Sequence, residues 1–254
     1  MNIRSFFWHN LSGMTPSKNV GASVPLVPTS APAGRSRPHN LSLLLLMMIG
    51  LQVAARAQEA AVVTFTLDFP GSEPSHYAIS VSSDGPSSYD SNGKLSPDSE
   101  GDPFQLDFSM SPETRQKVFE LAERAHYFQG EIDSRKKNLA STGRKTLTYK
   151  DSVRNARATY NYSPVAAVQQ ITQLFQSLSA TLEFGRRLQY FHRYQKLALD
   201  EELKRMEGAA TGTGLEEIGA VAPILRAIAN DSSVINPVRA RAQRMLERSN
   251  SVKQ

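Results

Sequence analysis

VVTFTLDFPG, residues 62–71, alternates with a period of two. Val63, Phe65, Leu67 and Phe69 fall on one side, and Val62, Thr64, Thr66 and Asp68 on the other. Successive side chains of a strand point to opposite faces, so this is a half-buried strand closed by Pro70-Gly71. Tyr77, Ile79 and Val81 repeat the pattern against His76, Ala78 and Ser80, and Asp84-Gly85 then supplies a hairpin turn. The return strand is expected around Ser87 to Asp90. Ser91 to Pro103 crowds Gly, Pro, Ser and acids into a loop, after which Phe104, Leu106, Phe108 and Met110 alternate again.

Working downstream, Ser111-Pro112 opens a helix, since serine caps free N–H groups and proline fits the first turn. Val118, Leu121, Ala122, Ala125 and Phe128 recur at helical spacing up to Gly130. Lys145 to Lys150 and Val153 to Tyr162 flank Asp151-Ser152 as a second hairpin, with Ala156, Ala158, Tyr160 and Tyr162 inward. Ser163-Pro164 starts another helix, striped by Val168, Ile171, Phe175, Leu178 and Leu182. Tight turns between strands imply antiparallel pairing. The expected fold is α+β: a small antiparallel sheet with helices packed on one face, followed by a C-terminal all-helical segment.

From Gly185 onward every pattern is helical. Leu188, Phe191, Lys196, Leu199 and Leu203 share a helix, Gly208 to Gly214 breaks it, and Thr213 with Glu216 forms a capping box for the next. Ile218, Val221, Leu225 and Ile228 stripe that helix, and Pro223 within it predicts a kink near Gly219. A last helix from about Pro237 to Arg248 turns Val238, Ala242 and Met245 inward. With its kinking proline, its Asn230-Asp231 turn and Val238-Arg239 opening the second helix, Ala220 to Leu246 resembles a single HEAT-type helical pair. That resemblance implies a scaffold surface rather than a catalyst.

Upstream, Leu41 to Ala57 reads LSLLLLMMIGLQVAARA, an apolar run preceded by Arg35 and Arg37 and closed by Ala55-Arg56-Ala57. This is the layout of an export signal cleaved near Ala57-Gln58. Periplasmic or secreted location is therefore expected, in a bacterium. Leu41 to Val53 is shorter than the ~18–20 residues of a membrane span, and an uncleaved anchor is the alternative. The expected organisation is a disordered leader plus signal over 1–57, an α+β domain over 58–184 and a helical region over 185–254.

The formal charge of +5 lies wholly in that leader, in Arg4, Lys18, Arg35, Arg37 and Arg56, so the rest of the chain is balanced and nucleic acid is not an expected partner. The balance is uneven: 14 acids and 4 bases from Gln58 to Asp133, against 10 and 20 from Ser134 onward. Opposite fields of that kind favour docking of one half on the other. Cysteine is absent, so there are no disulfides and no thiol nucleophile.

Motifs with chemistry are few. No HExxH, GxSxG or phosphate-cradling glycine loop occurs, and His76, His126 and His192 stand apart. No catalytic residue and no cofactor is expected. Asp98, Glu100 and Asp102 place alternating carboxylates about a glycine, the pattern of an oxygen-ligated calcium loop, but without a closing bidentate glutamate a solvated acidic loop is the stronger reading. Arg241, Arg244 and Arg248 follow i, i+3, i+7 and share a helix face, a row able to grip the carboxylates or phosphates of a partner. The sequence favours a non-enzymatic protein- or envelope-binding module over its alternative, a hydrolase whose site assembles only on folding.

Overall fold

In the computed structural model, which describes residues 59–95, 100–212 and 214–251, the strands expected from the alternation are present. They are β1 (Val62–Asp68), β2 (His76–Ser82), β3 (Pro86–Ser91), β4 (Phe104–Ser109), β5 (Arg144–Lys150) and β6 (Asn155–Tyr160). All pairings are antiparallel, in the order β4-β3-β2-β1-β5-β6. The first four strands form a meander, and β5 returns to the free edge of β1. Phe65 therefore lies between Ile79 and Leu147, and all three are fully buried. The opposite face is polar, with hydroxyls paired across strands: Thr64 with Ser80 at 2.9 Å and Thr146 with Thr159 at 3.1 Å.

The inner face is covered by α1 (Pro112–Arg124) and α2 (Ala166–Tyr194). Ser111 caps α1, its hydroxyl accepting from the Thr114 N–H at 3.3 Å. This helix ends at Arg124, before the expected Gly130, because His126, Tyr127 and Phe128 turn left-handed with φ of 51°, 55° and 62°. Phe128 still reaches the core. On α2, the Phe175 ring stacks on Phe65 with centroids 5.4 Å apart. Each such side chain contributes about 1.5–3 kcal/mol by leaving water. Tyr162, expected inward, lies beyond the end of β6 and is exposed.

At 29 residues α2 is about 43 Å long, against about 23 Å for a seven-residue strand, so it outruns the sheet. The boundary expected at 184/185 falls inside this unbroken helix. Gly185 is small for a different reason: a Cβ there would lie 2.3 Å from the Val221 side chain. Val221 ends a 3₁₀ turn over Ile218–Val221, and Pro223 follows in the first turn of the next helix, not in a helix interior. The expected kinked helix is thus a 3₁₀ turn leading into the helix over Ala222–Asn230, with Thr213 outside the described residues.

Beyond α2 come α3 (Leu199–Ala209), α4 (Ala222–Asn230) and α5 (Asn236–Ser251). Leu203 and Met206 of α3, Leu225 and Ile228 of α4, and Val238, Ala242 and Met245 of α5 are buried in the same apolar cluster as Phe65 and Phe175. One core runs from the sheet to the last helix. No helix among the described residues is long and apolar enough to cross a membrane. The expected signal over 41–57 lies outside the described residues.

Candidate functional site

Where α2 leaves the sheet, one of its faces looks toward the β1–β2 turn and the loop after β3. Phe184, Arg187 and Phe191 follow i, i+3, i+7 and line a cleft of about 490 Å³ together with Glu73, Lys94, Leu95 and Arg205. Glu73, Phe184 and Arg187 also line a smaller recess of about 270 Å³, which continues to Gln176, Ser179 and Glu183. Arg187 stands at the junction of the two.

Glu202 of α3 positions that arginine. It is 1% exposed, and its Oε1 accepts from Arg187 Nε at 2.6 Å while its Oε2 is paired with Arg205. The Arg187 guanidinium also lies over the Phe184 ring, 4.9 Å from its centroid. Its two terminal nitrogens have no acceptor among the described residues. One buried carboxylate thus neutralises one of two guanidiniums and leaves a surplus positive charge at the cleft. Opposite, a Glu73 oxygen accepts the Lys94 N–H.

Behind the recess is a buried polar knot. Tyr89 and Ser91 donate to Glu183 Oε1 at 2.9 and 2.6 Å, and Ser179 lies 3.0 Å from the Tyr89 hydroxyl. Burial, with the Glu183 charge beside it, pushes the Tyr89 phenol well above its ordinary range; burial does the same to Tyr77. Both hydroxyls stay protonated, and that of Tyr89 donates to Glu183. Glu183 Oε2 makes no hydrogen bond and faces Arg186 at 3.8 Å, beside Gly93. Arg186 donates to the carbonyls of Gly93 and Asp102, each at 3.0 Å.

The histidines lie elsewhere. His76 Nδ1 meets Asp68 at 2.7 Å on the outer face of the sheet, where Arg144 joins the same carboxylate at 3.1 Å. His192 Nε2 meets Asp231 at 2.9 Å, and Lys196 meets it at 2.7 Å. Neither imidazole has a hydroxyl on its other nitrogen among the described residues. Both pairs act as ties between elements.

Of the acidic loop, Asp98 lies outside the described residues, Glu100 and Asp102 are exposed, and no three His, Asp or Glu side chains converge as ligands among the described residues. The arginine row meets its anion within the chain. Arg241 reaches Glu207 of α3 and, at 3.5 Å, Asp200; Arg244 reaches Glu207 at 3.0 Å. These residues clamp α5 to α3, and Arg248 is the third member of the same face. Lys145 is buried, donating to Thr142 O and Asn161 O at 3.0 Å each. Burial lowers its pKa.

Sequence reasoning passed over Arg187 and Glu202, because 15 residues and a helix break separate them. The one available signal was the i, i+3, i+7 spacing of Phe184, Arg187 and Phe191. No protein-family model matches the chain, and no curated protein matches it.

Proposed function

We propose that this is an exported, non-enzymatic binding module whose ligand enters the cleft beside α2. The observation that carries the reading is Arg187: fixed through Nε by a buried carboxylate, it offers two unused N–H edges to a cleft walled by Phe184, Phe191 and Leu95. Ligand sites are typically ~300–1,000 Å³, mostly apolar, with a few fixed polar groups, and this cleft has that make-up. Export rests on the signal pattern at Leu41 to Ala57. The exported protein should begin at Gln58 on N-terminal sequencing, and intact leader in a membrane fraction would favour the anchored alternative.

Binding is tested by NMR with a small-fragment library. Perturbations should centre on Phe184, Arg187 and Phe191, and a library that leaves all three unmoved overturns the reading. A protein partner is the second reading, favoured by three exposed apolar side chains, Tyr194, Leu197 and Ile235, near the Lys196–Asp231 tie. Perturbations confined to that end of the molecule would support it.

A further inference from the structure

We infer that the cleft takes a monoanion with an apolar body, a carboxylate head on a hydrocarbon or aromatic tail. This rests on the cleft being a ligand site, as proposed above, and adds the chemistry of its occupant.

The head is set by charge and geometry. Arg187 and Arg205 flank the cleft with Glu202 sealed beneath them, both of its oxygens already used. Lys94 and Glu73 oppose one another at the rim. Glu183 is answered by Arg186, and its Oε2 lies beside Gly93. Among the described residues one positive charge remains uncompensated at the cleft, which a monoanion neutralises and a phosphate dianion overshoots. Among the described residues Arg187 is held through Nε alone, so its terminal nitrogens can meet the two oxygens of a carboxylate, the geometry in which guanidinium binds most specifically.

The tail is set by the walls. Phe184 and Phe191 are one helical turn to either side of Arg187, and Leu95 faces them across the cleft. A head on Arg187 places the attached carbons against these rings. The smaller recess, with Ser179 and Gln176, can accommodate a hydroxyl or amide substituent near the head.

The experiment is calorimetric titration of the exported protein with butanoate, hexanoate and octanoate, beside octanol, octylamine and inorganic phosphate, with NMR to locate each probe. Affinity should rise about three- to fourfold per added methylene until the cleft is filled. Octanoate should exceed octanol and octylamine by tenfold or more, as a charge-assisted pair implies. Arg187→Lys should lower octanoate affinity about tenfold while keeping the charge; the chain-length series on the unaltered protein gives an answer even if that variant folds poorly. Octanol or octylamine binding at Phe184 and Phe191 as well as octanoate does would overturn the assignment of the head and leave the cleft a ligand site. Phosphate matching octanoate, with no dependence on chain length, would overturn the amphiphile. Failure of every probe and every fragment to perturb these residues removes the cleft itself.

Discussion

Along the sheet, β1 is paired with β5 from Val62 to Asp68 without a gap, and its outer face carries hydroxyl pairs and the Asp68–His76–Arg144 row. The C-terminal helices have no such ladder; α3, α4 and α5, of 11, 9 and 16 residues, meet α2 and one another mainly through side chains. Four carboxylates sit at their contacts, each shared by two basic side chains: Glu202 by Arg187 and Arg205, Glu207 by Arg241 and Arg244, Asp200 by Lys204 and Arg241, Asp231 by His192 and Lys196. A one-residue slip in the ladder would turn every side chain of a strand to the other face, so register there is held by the buried pattern and the turns, whereas packed helices can slide or rotate by smaller steps. In the helical end, point charges fix position, and one of those charges also presents Arg187 to the cleft.

The strongest test asks whether the two regions are one cooperative unit. Phe175 belongs to α2, which serves both, so Phe175→Ala should cost about 3–5 kcal/mol in urea unfolding. A single transition by circular dichroism and by tyrosine fluorescence is expected; two separated transitions would divide the core.

Glu202→Gln should cost about 2–3 kcal/mol, below the ~3–5 of a fully buried pair because Arg205 is half exposed. A loss no larger than that of an exposed pair would mean that the bridging carboxylates do not position the helices. Gly185→Ala should destabilise by about 1–3 kcal/mol, although alanine is the better helix former by about 1 kcal/mol, because its methyl meets Val221. A stabilised variant would show that the 3₁₀ turn can move aside.

Acid should withdraw the stability that the helical end draws from its ion-paired carboxylates. Hydrogen bonds from Lys196, Ser233 and His192 hold Asp231 well below the usual carboxylate range. Burial acts against Glu207, but Arg241 and Arg244 outweigh it and lower its pKa too. A carboxylate depressed in the folded state stabilises it above the unfolded pKa and loses that contribution as pH falls through the folded value. Melting temperature should be flat near neutrality and fall below about pH 4, and Asp231→Asn should reduce the slope. The smallest effect is expected from Asp68→Asn. It removes a half-exposed carboxylate from His76 and Arg144 on the outer sheet face, and about 0.5–1 kcal/mol should be lost. A loss matching that of Glu202→Gln would erase the contrast between the regions.

The attraction expected between an acidic and a basic half has a plainer basis. The halves share one sheet, and among the described residues only three ion pairs join them, Asp68–Arg144, Glu59–Lys150 and the local Glu131–Arg135. Hydrogen-bond ladder and core burial hold them together. Charge composition reports what a segment carries and not which groups it meets.

What the sequence determined by itself was whatever depends on the burial of one element at a time. Alternation from Val62 to Val81 is a local record of which side faces the core, as is the spacing of Val168, Ile171, Phe175 and Leu178, and both hold in the fold. The serine-proline cap before α1 and the inward faces of Ala242 and Met245 are of the same kind. Tertiary structure decided what depends on two distant elements meeting. Gly185 breaks no helix because Val221, 36 residues on, needs the room, and Arg241 finds its anion 34 residues away in Glu207. The site belongs to this second kind. A guanidinium's role is fixed by its counter-charge and by the walls around it, and apart from Phe184 and Phe191 on its own helix those come from α3 and two loops that only the packed fold brings to Arg187.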